Sequence, residues 1–270
     1  VDNVADKPPD GGQQPEQMRS DLTAWNWADV ALMTVSSITI LAAGSAALFL
    51  WEGVIGKNGF SLTEPTATFG ALLAALEAVA IISSVYLFGL RRRRLSWLDV
   101  GLVIPRAKWL AGAGCLAVLA LPTISLIATG VRALLGEPLE NPQIVFLAPN
   151  ELTLLGAIGM LVFAGVIVPF SEELFFRGVL YRWLRSHWRP WAASLASSFV
   201  FGLLHGEFSV IVATFIMGMV LAWFYERSKS LWPSVVIHVV NNSLSILVVY
   251  LTTAFGLDLP SVTHLIQHLV

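Results

Sequence analysis

Charge is scarce in this chain: 13% of its 270 residues are Asp, Glu, Lys or Arg, while 56% are hydrophobic. Soluble globular domains carry roughly 25% charged residues, so an ordinary soluble fold is excluded. Cysteine is scarcer still. Cys115 stands alone, which rules out an intramolecular disulfide and a thiolate metal cluster. Its apolar surroundings predict a small core hydrophobe. Also missing are an internal repeat, a phosphate-binding glycine loop, a nucleic-acid-binding signature, a Gly-x-Ser-x-Gly nucleophile elbow and a His-Glu-x-x-His helix. No nucleic-acid partner is expected.

Long apolar runs fill the chain instead, several of about 20 residues or more, the length a helix needs to cross a bilayer. They predict an all-α fold: a polytopic transmembrane helical bundle of about seven spans, within a range of six to eight. The spans read as Trp27–Trp51, Thr66–Leu90, Trp109–Leu135, Leu152–His187, Pro190–Gly206, Phe208–Tyr225 and Leu231–Ala254. The fourth is too long for one crossing, and Pro122 and Pro169 are expected to kink their helices. Residues 1–25 are polar and rich in Pro and Gly, reading as a disordered tail rather than a cleavable signal peptide. The expected organisation is a tail (1–25), N-terminal helices (26–150), a catalytic core (151–254) and a short C-terminal tail (255–270).

Loop charges alternate. Arg91 to Arg94, Arg106 and Lys108 lie between spans two and three, Arg182, Arg185 and Arg189 between four and five, and Arg227 and Lys229 between six and seven. The intervening loops are acidic or neutral, with Glu137, Glu140 and Glu151 before span four. The positive-inside rule then puts the basic loops and the N-terminus in the cytoplasm of a plasma membrane. The arginine run reads as a topology anchor.

Polar groups are costly in lipid, so those that remain there are candidates for function. Glu173 and Arg177 are four apart on one helical face and can form an ion pair. Glu172 faces elsewhere, free to meet something across the bundle. A carboxylate left unpaired in apolar surroundings suits general-base catalysis near neutral pH. Glu172 and His205 lie on either side of the Arg189-Pro190 turn, each roughly 22–26 Å from it if both arms are helical. A helical hairpin brings them to one depth, with Phe201 packed beside the imidazole. Their places along the spans conflict with this, since Glu172 falls late in span four and His205 at the outer end of span five. His238 and Asn242 share a face of span seven and offer N–H donors suited to an oxyanion. Asn241 points about 100° away. Glu77, mid-way along span two, is a further buried acid, open as a substrate contact, a proton-relay group or a partner to another helix. Glu207 is expected at a helix turn.

Three motifs in order, Glu172-Glu173-x-x-x-Arg177, Phe201-x-x-x-His205 and His238-x-x-x-Asn242, resemble those of the CPBP family, the CAAX protease and bacteriocin-processing membrane proteins also called Abi. The likeness runs from about Val166 to Leu247, taking in Arg177-Gly178-Val179-Leu180, Tyr225-Glu226-Arg227 and Ser230-Leu231-Trp232-Pro233. The core motifs show no departure from the family pattern. The resemblance implies an intramembrane glutamate-dependent endopeptidase. Glu172 and His205 would activate water, His238 and Asn242 would hold the oxyanion, and Glu173, Arg177 and Phe201 would support them. Family members have also been called metalloproteases, and Glu172, His205 and His238 would be the zinc ligands. Without a His-Glu-x-x-His helix, a mechanism with no metal or other cofactor is preferred. The implied partner is a membrane-associated or lipid-anchored protein or peptide within the bilayer. Eukaryotic relatives trim prenylated C-terminal tripeptides, while bacterial ones are linked to bacteriocin immunity and membrane-protein processing. The alternative is a non-catalytic membrane immunity or scaffolding protein of the same fold. A proton-coupled transporter would require repeat symmetry that the sequence lacks.

Overall fold

The computed structural model describes residues 25–55, 66–138 and 153–255. The polar stretch expected as a tail up to residue 24, Glu140, Glu151 and the C-terminal stretch from residue 256 lie outside the described residues. Among the described residues seven helices follow in order: α1 (Trp27–Ile55), α2 (Ala67–Ser84), α3 (Ala107–Leu135), α4 (Leu154–His187), α5 (Pro190–Leu203), α6 (Phe208–Ser228) and α7 (Trp232–Phe255). There is no strand among the described residues.

Local chemistry sets several boundaries. Asn26 and Asp29 exchange side-chain and backbone bonds at the start of α1, both at 3.0 Å, an arrangement that satisfies amides left open by the first turn. Thr66 caps α2 through the Phe69 amide, and Thr153 caps α4 through that of Gly156. Pro190 opens α5, where its missing N–H costs nothing.

Six of the seven helices are long and apolar enough to cross a membrane; α5, with 14 residues, is not. At 1.5 Å per residue it reaches about 21 Å, short of a hydrocarbon core of about 30 Å. The predicted span Pro190–Gly206 therefore stops early. The chain turns through Gly206, held at φ +78, a conformation that costs glycine little. Glu207 then caps α6 through the Ser209 and Val210 amides.

The 34-residue α4 absorbs its excess length by bending. Two wider π-helical turns, Phe163–Ile167 and Phe176–Tyr181, interrupt it, and Pro169 follows the first. A further π-turn, Val85–Arg91, extends α2.

The basic loops gather at one end of the bundle. Asp29 pairs with Arg92 and Arg93, and the loop before α3 meets the α6–α7 turn through Leu231 N–H to Gly101 O at 2.8 Å and Ser230 Oγ to Val103 O at 2.6 Å. Beside them, Glu226 binds the Tyr181 hydroxyl at 2.9 Å, Lys229 at 3.0 Å and Arg185 at 3.4 Å.

A row of small residues on α2 (Ala67, Ala71, Ala74 and Ala78) brings that helix close to Met160 and Val168 of α4. Close backbone approach of this kind is the main source of helix association in lipid. Cys115 departs from expectation: it lies on the exposed face of α3, because an outward position in a bundle requires the same apolar character as the core.

Candidate active site

Helix α4 carries Glu172 and Glu173 at its centre, and the two side chains go to different places. Glu173 is sealed at 0% exposure, with Oε1 accepting from Arg177 Nη1 at 2.7 Å and from His238 Nδ1 at 2.9 Å. Arg177, equally buried, donates from Nη2 to the Gly218 carbonyl of α6 at 3.2 Å and lies 4.6 Å from the Phe201 ring centre. Gly218 permits the close approach: a Cβ there would stand 2.9 Å from that of Ser198. Glu172 keeps 13% of its side chain open, with Oε2 3.5 Å from His238 Nε2.

That opening is a cavity of about 410 Å³ lined by α2, α3, α4, α6, α7 and the α5–α6 turn. Glu172, His205, His238, Asn241 and Asn242 all face it, together with Glu77 of α2. The larger cleft, about 780 Å³, is distant from these groups, at the basic end around Trp191, Trp223 and Arg227.

The α4–α5 register accounts for Glu172 and His205 lining one cavity. Ser197 Oγ donates to the Phe176 carbonyl at 3.2 Å, and the Phe176 and Phe201 rings stack edge-on at 5.0 Å. His205 lies two residues beyond the end of α5, with Glu172 fifteen residues before the end of α4. The short α5 thus removes the conflict between the depths expected along the spans. Phe201 is fully buried and serves both imidazoles, packing edge-on to His205 at 4.9 Å and to His238 at 5.7 Å.

Hydrogen bonds assign the histidine tautomers. His205 Nδ1 sits 3.0 Å from the Phe201 carbonyl oxygen. A carbonyl only accepts, so Nδ1 carries the proton and Nε2 is left with a lone pair. By the same logic the His238 Nδ1–H donates to Glu173, and its Nε2 lies on the Glu172 side.

Pro169 has a consequence beyond a bend. It has no N–H to close onto the carbonyls one turn earlier, and α7 takes up two of them. Ser243 Oγ donates to Gly165 O at 3.0 Å, and Asn242 Nδ2 lies 3.5 Å from Ala164 O. The proline thereby orients the Asn242 amide, leaving its second N–H for other partners.

Sequence reasoning missed several of these elements. Asn241, thought to point away, also faces the cavity and is 93% buried by its 7% exposure. The contributions of α2 and α3 went unread apart from the buried acid Glu77. Arg132, near the end of α3, forms a 2.8 Å ion pair with Glu207, tying α3 to the turn that carries His205. At Glu207 burial pushes the carboxyl up, but hydrogen bonds from Ser209 and Val210 and the Arg132 charge outweigh it and hold the group below its ordinary value.

As arranged, the expected zinc set does not form a ligand cluster: among the described residues no three His, Cys, Asp or Glu side chains could together hold a metal ion.

One comparison with known proteins falls on the same segment. Residues 154–244 match the family model described as Rce1-like, type II CAAX prenyl endopeptidase. The chain is 26% identical over 113 residues to the Bacillus subtilis (strain 168) protein named "Putative membrane peptidase YdiL", covering 42% of this chain and 44% of that one. It is 32% identical over 75 residues to the "UPF0177 protein YxdF" of Lactococcus lactis subsp. lactis (strain IL1403), covering 27% of this chain and 41% of the relative. The matches thus span less than half the length of either relative. No solved structure matches. The resemblance to the CAAX protease family is supported over the part of the chain that carries the three motifs.

Proposed function

We propose that this chain is a metal-free intramembrane endopeptidase, hydrolysing a peptide bond in a membrane-associated or lipid-anchored protein or peptide. A water molecule sits between Glu172 and Nε2 of His205. Glu172 takes a proton from it as the oxygen attacks the scissile carbonyl carbon. The carbonyl electron pair moves onto oxygen, and the oxyanion is held by Asn242 Nδ2 and by Nε2–H of a His238 ring that carries hydrogen on both nitrogens, its Nδ1–H being given to Glu173. Collapse breaks the C–N bond, and the proton held by Glu172 passes to the departing nitrogen. The products are a carboxylic acid and an amine.

One observation carries this reading. Of two adjacent glutamates, Glu173 is closed off by Arg177 and His238, while Glu172 opens into a cavity shared with His205 and Asn242. Each imidazole is fixed by a bond from Nδ1, the pre-organisation that catalysis requires. The metal-free form draws support from the side-chain grouping: among the described residues no three His, Cys, Asp or Glu side chains are placed to hold a metal ion together. The basic end is assigned to the cytoplasm of a plasma membrane, with the N-terminus on that side.

The test is a survey of protein termini in membranes of the native host, comparing wild type with Glu172→Gln. A defined set of termini is expected to vanish, with cleavage slowed about 10²–10⁴-fold and unaffected by chelators. Identical termini in the two strains would favour the non-catalytic immunity or scaffolding reading.

A further inference from the structure

Two hydrogen-bond acceptors on the cavity wall have no part in the hydrolysis just described. Glu77 shares the cavity with Glu172, and its carboxyl makes no hydrogen bond or ion pair with any described residue. Asn241 is the second. Its Oδ1 is buried without a partner although the side chain lines the same space. A relay fixes which way that amide points. The Ala164 carbonyl only accepts, so Asn242 gives it Nδ2 and turns Oδ1 toward Asn241. Asn241 answers with its own Nδ2 at 3.4 Å, leaving its Oδ1 as the unpaired atom.

The charge around these acceptors is one-sided. Among the described residues, no Lys or Arg lines the cavity. Arg177 is engaged by Glu173 and Gly218, and Arg132 by Glu207 and the Pro138 carbonyl. A pocket with surplus acceptors in a low-dielectric setting complements a group made only of donors, such as an ammonium or guanidinium. It opposes a carboxylate, which would face Glu77 and Glu172 with no Lys or Arg among the described lining residues. The rest of the wall suits an aliphatic stem, being built largely of small apolar side chains such as Ala74, Ala128, Ala164 and Ala213.

We propose that Glu77, with the Asn241 amide on the wall of the same cavity, is a specificity-determining residue: it receives the Lys or Arg side chain of a substrate beside the scissile bond, and it disfavours a free C-terminal carboxylate at that place. The choice of substrate rests on the peptidase reading; the binding preference does not.

Binding is tested first, with the full chain in detergent and Glu172→Gln present so that nothing is turned over. Thermal unfolding is followed with n-butylammonium, n-butanol or butyrate. Butylammonium is expected to raise the midpoint more than butanol, and butyrate to raise it least. Adding Glu77→Gln should make butylammonium and butanol equivalent. An ammonium effect no larger than that of butanol, or one that survives Glu77→Gln, would overturn the proposal. Cleavage gives the second readout. Termini lost with Glu172→Gln should carry Lys or Arg within two residues of the cut. Glu77→Gln should weaken that preference by about tenfold, and Glu77→Lys should turn it toward acidic residues. Cut sites without a basic neighbour would contradict the specificity claim. If Glu172→Gln removes no termini, the peptidase reading fails, and the binding comparison still decides the role of Glu77.

Discussion

Helices α1 and α6 are almost equally apolar, with mean hydropathies of 1.8 and 2.1 in their most apolar 18-residue stretches, yet 6% of the first stretch is buried in the bundle and 56% of the second. In water such a difference would show as amphipathicity. In lipid it does not, because hydrocarbon and protein core accept the same side chains. Composition does not separate the two helices, since Ala, Gly, Ser and Thr make up a larger share of α1 than of α6; what separates them is the neighbours each one meets. On α6, Gly218 lets Ser198 approach and supplies the carbonyl that Arg177 binds. On α1, Val35, Leu50 and Trp51 face outward. Apolar length identifies a crossing; which faces are buried is set by the helices packed against it.

The strongest challenge to this contrast is Arg177→Met. Removing one partner of a buried ion pair strands the other, at a typical cost of about 3–5 kcal/mol, so unfolding in detergent should shift to much milder conditions. A change within about 0.5 kcal/mol would mean that the buried charges contribute little. Pro169→Ala gives a smaller, more local effect. With an N–H restored to α4, the carbonyls that hold Asn242 and Ser243 can close within the helix, and turnover should fall about tenfold, a fraction of the loss expected for deleting an oxyanion donor. Substrate KM should hardly change.

Acid sharpens the comparison at the opposite end of the bundle. The Glu207 carboxyl is held below its ordinary value of 4.5 in the folded chain. The stability it confers is therefore complete above that value and is lost as pH falls through the lower folded value. Wild type should lose stability in that acid window, and Glu207→Gln should flatten this part of the profile. The smallest effect is expected on α1. Leu50→Ala, at a site 68% exposed, should move stability by about 0.5 kcal/mol or less. A larger loss would show that α1 packs against something beyond the described residues.

Helix order and most helix ends were legible because length, proline and capping residues act locally. The start of α5 at Pro190 and the turn at Gly206 are examples, although the end of α5 was placed three residues too late. Spacing four residues apart also revealed the Glu173–Arg177 pair. Other features depend on tertiary packing, which one-dimensional patterns do not encode. The π-turns of α4 and the outward position of Cys115 belong here. So do the Arg132–Glu207 bridge and the capture of Ala164 and Gly165 by α7. Asn241 was misjudged for a geometric reason: a cavity touched by five helices and a turn is wide enough to admit neighbours 100° apart on α7.

The contrast between Glu172 and Glu173 is the most direct test of all. The two Glu→Gln variants should be purified side by side, with cleavage of a host-derived substrate and thermal unfolding measured on each. Glu172→Gln should abolish cleavage with its unfolding midpoint unchanged, whereas Glu173→Gln should lower the midpoint by weakening the Arg177–His238 cluster. Retained cleavage by Glu172→Gln, or destabilisation confined to that variant, would contradict the assignment of Glu172 as the base.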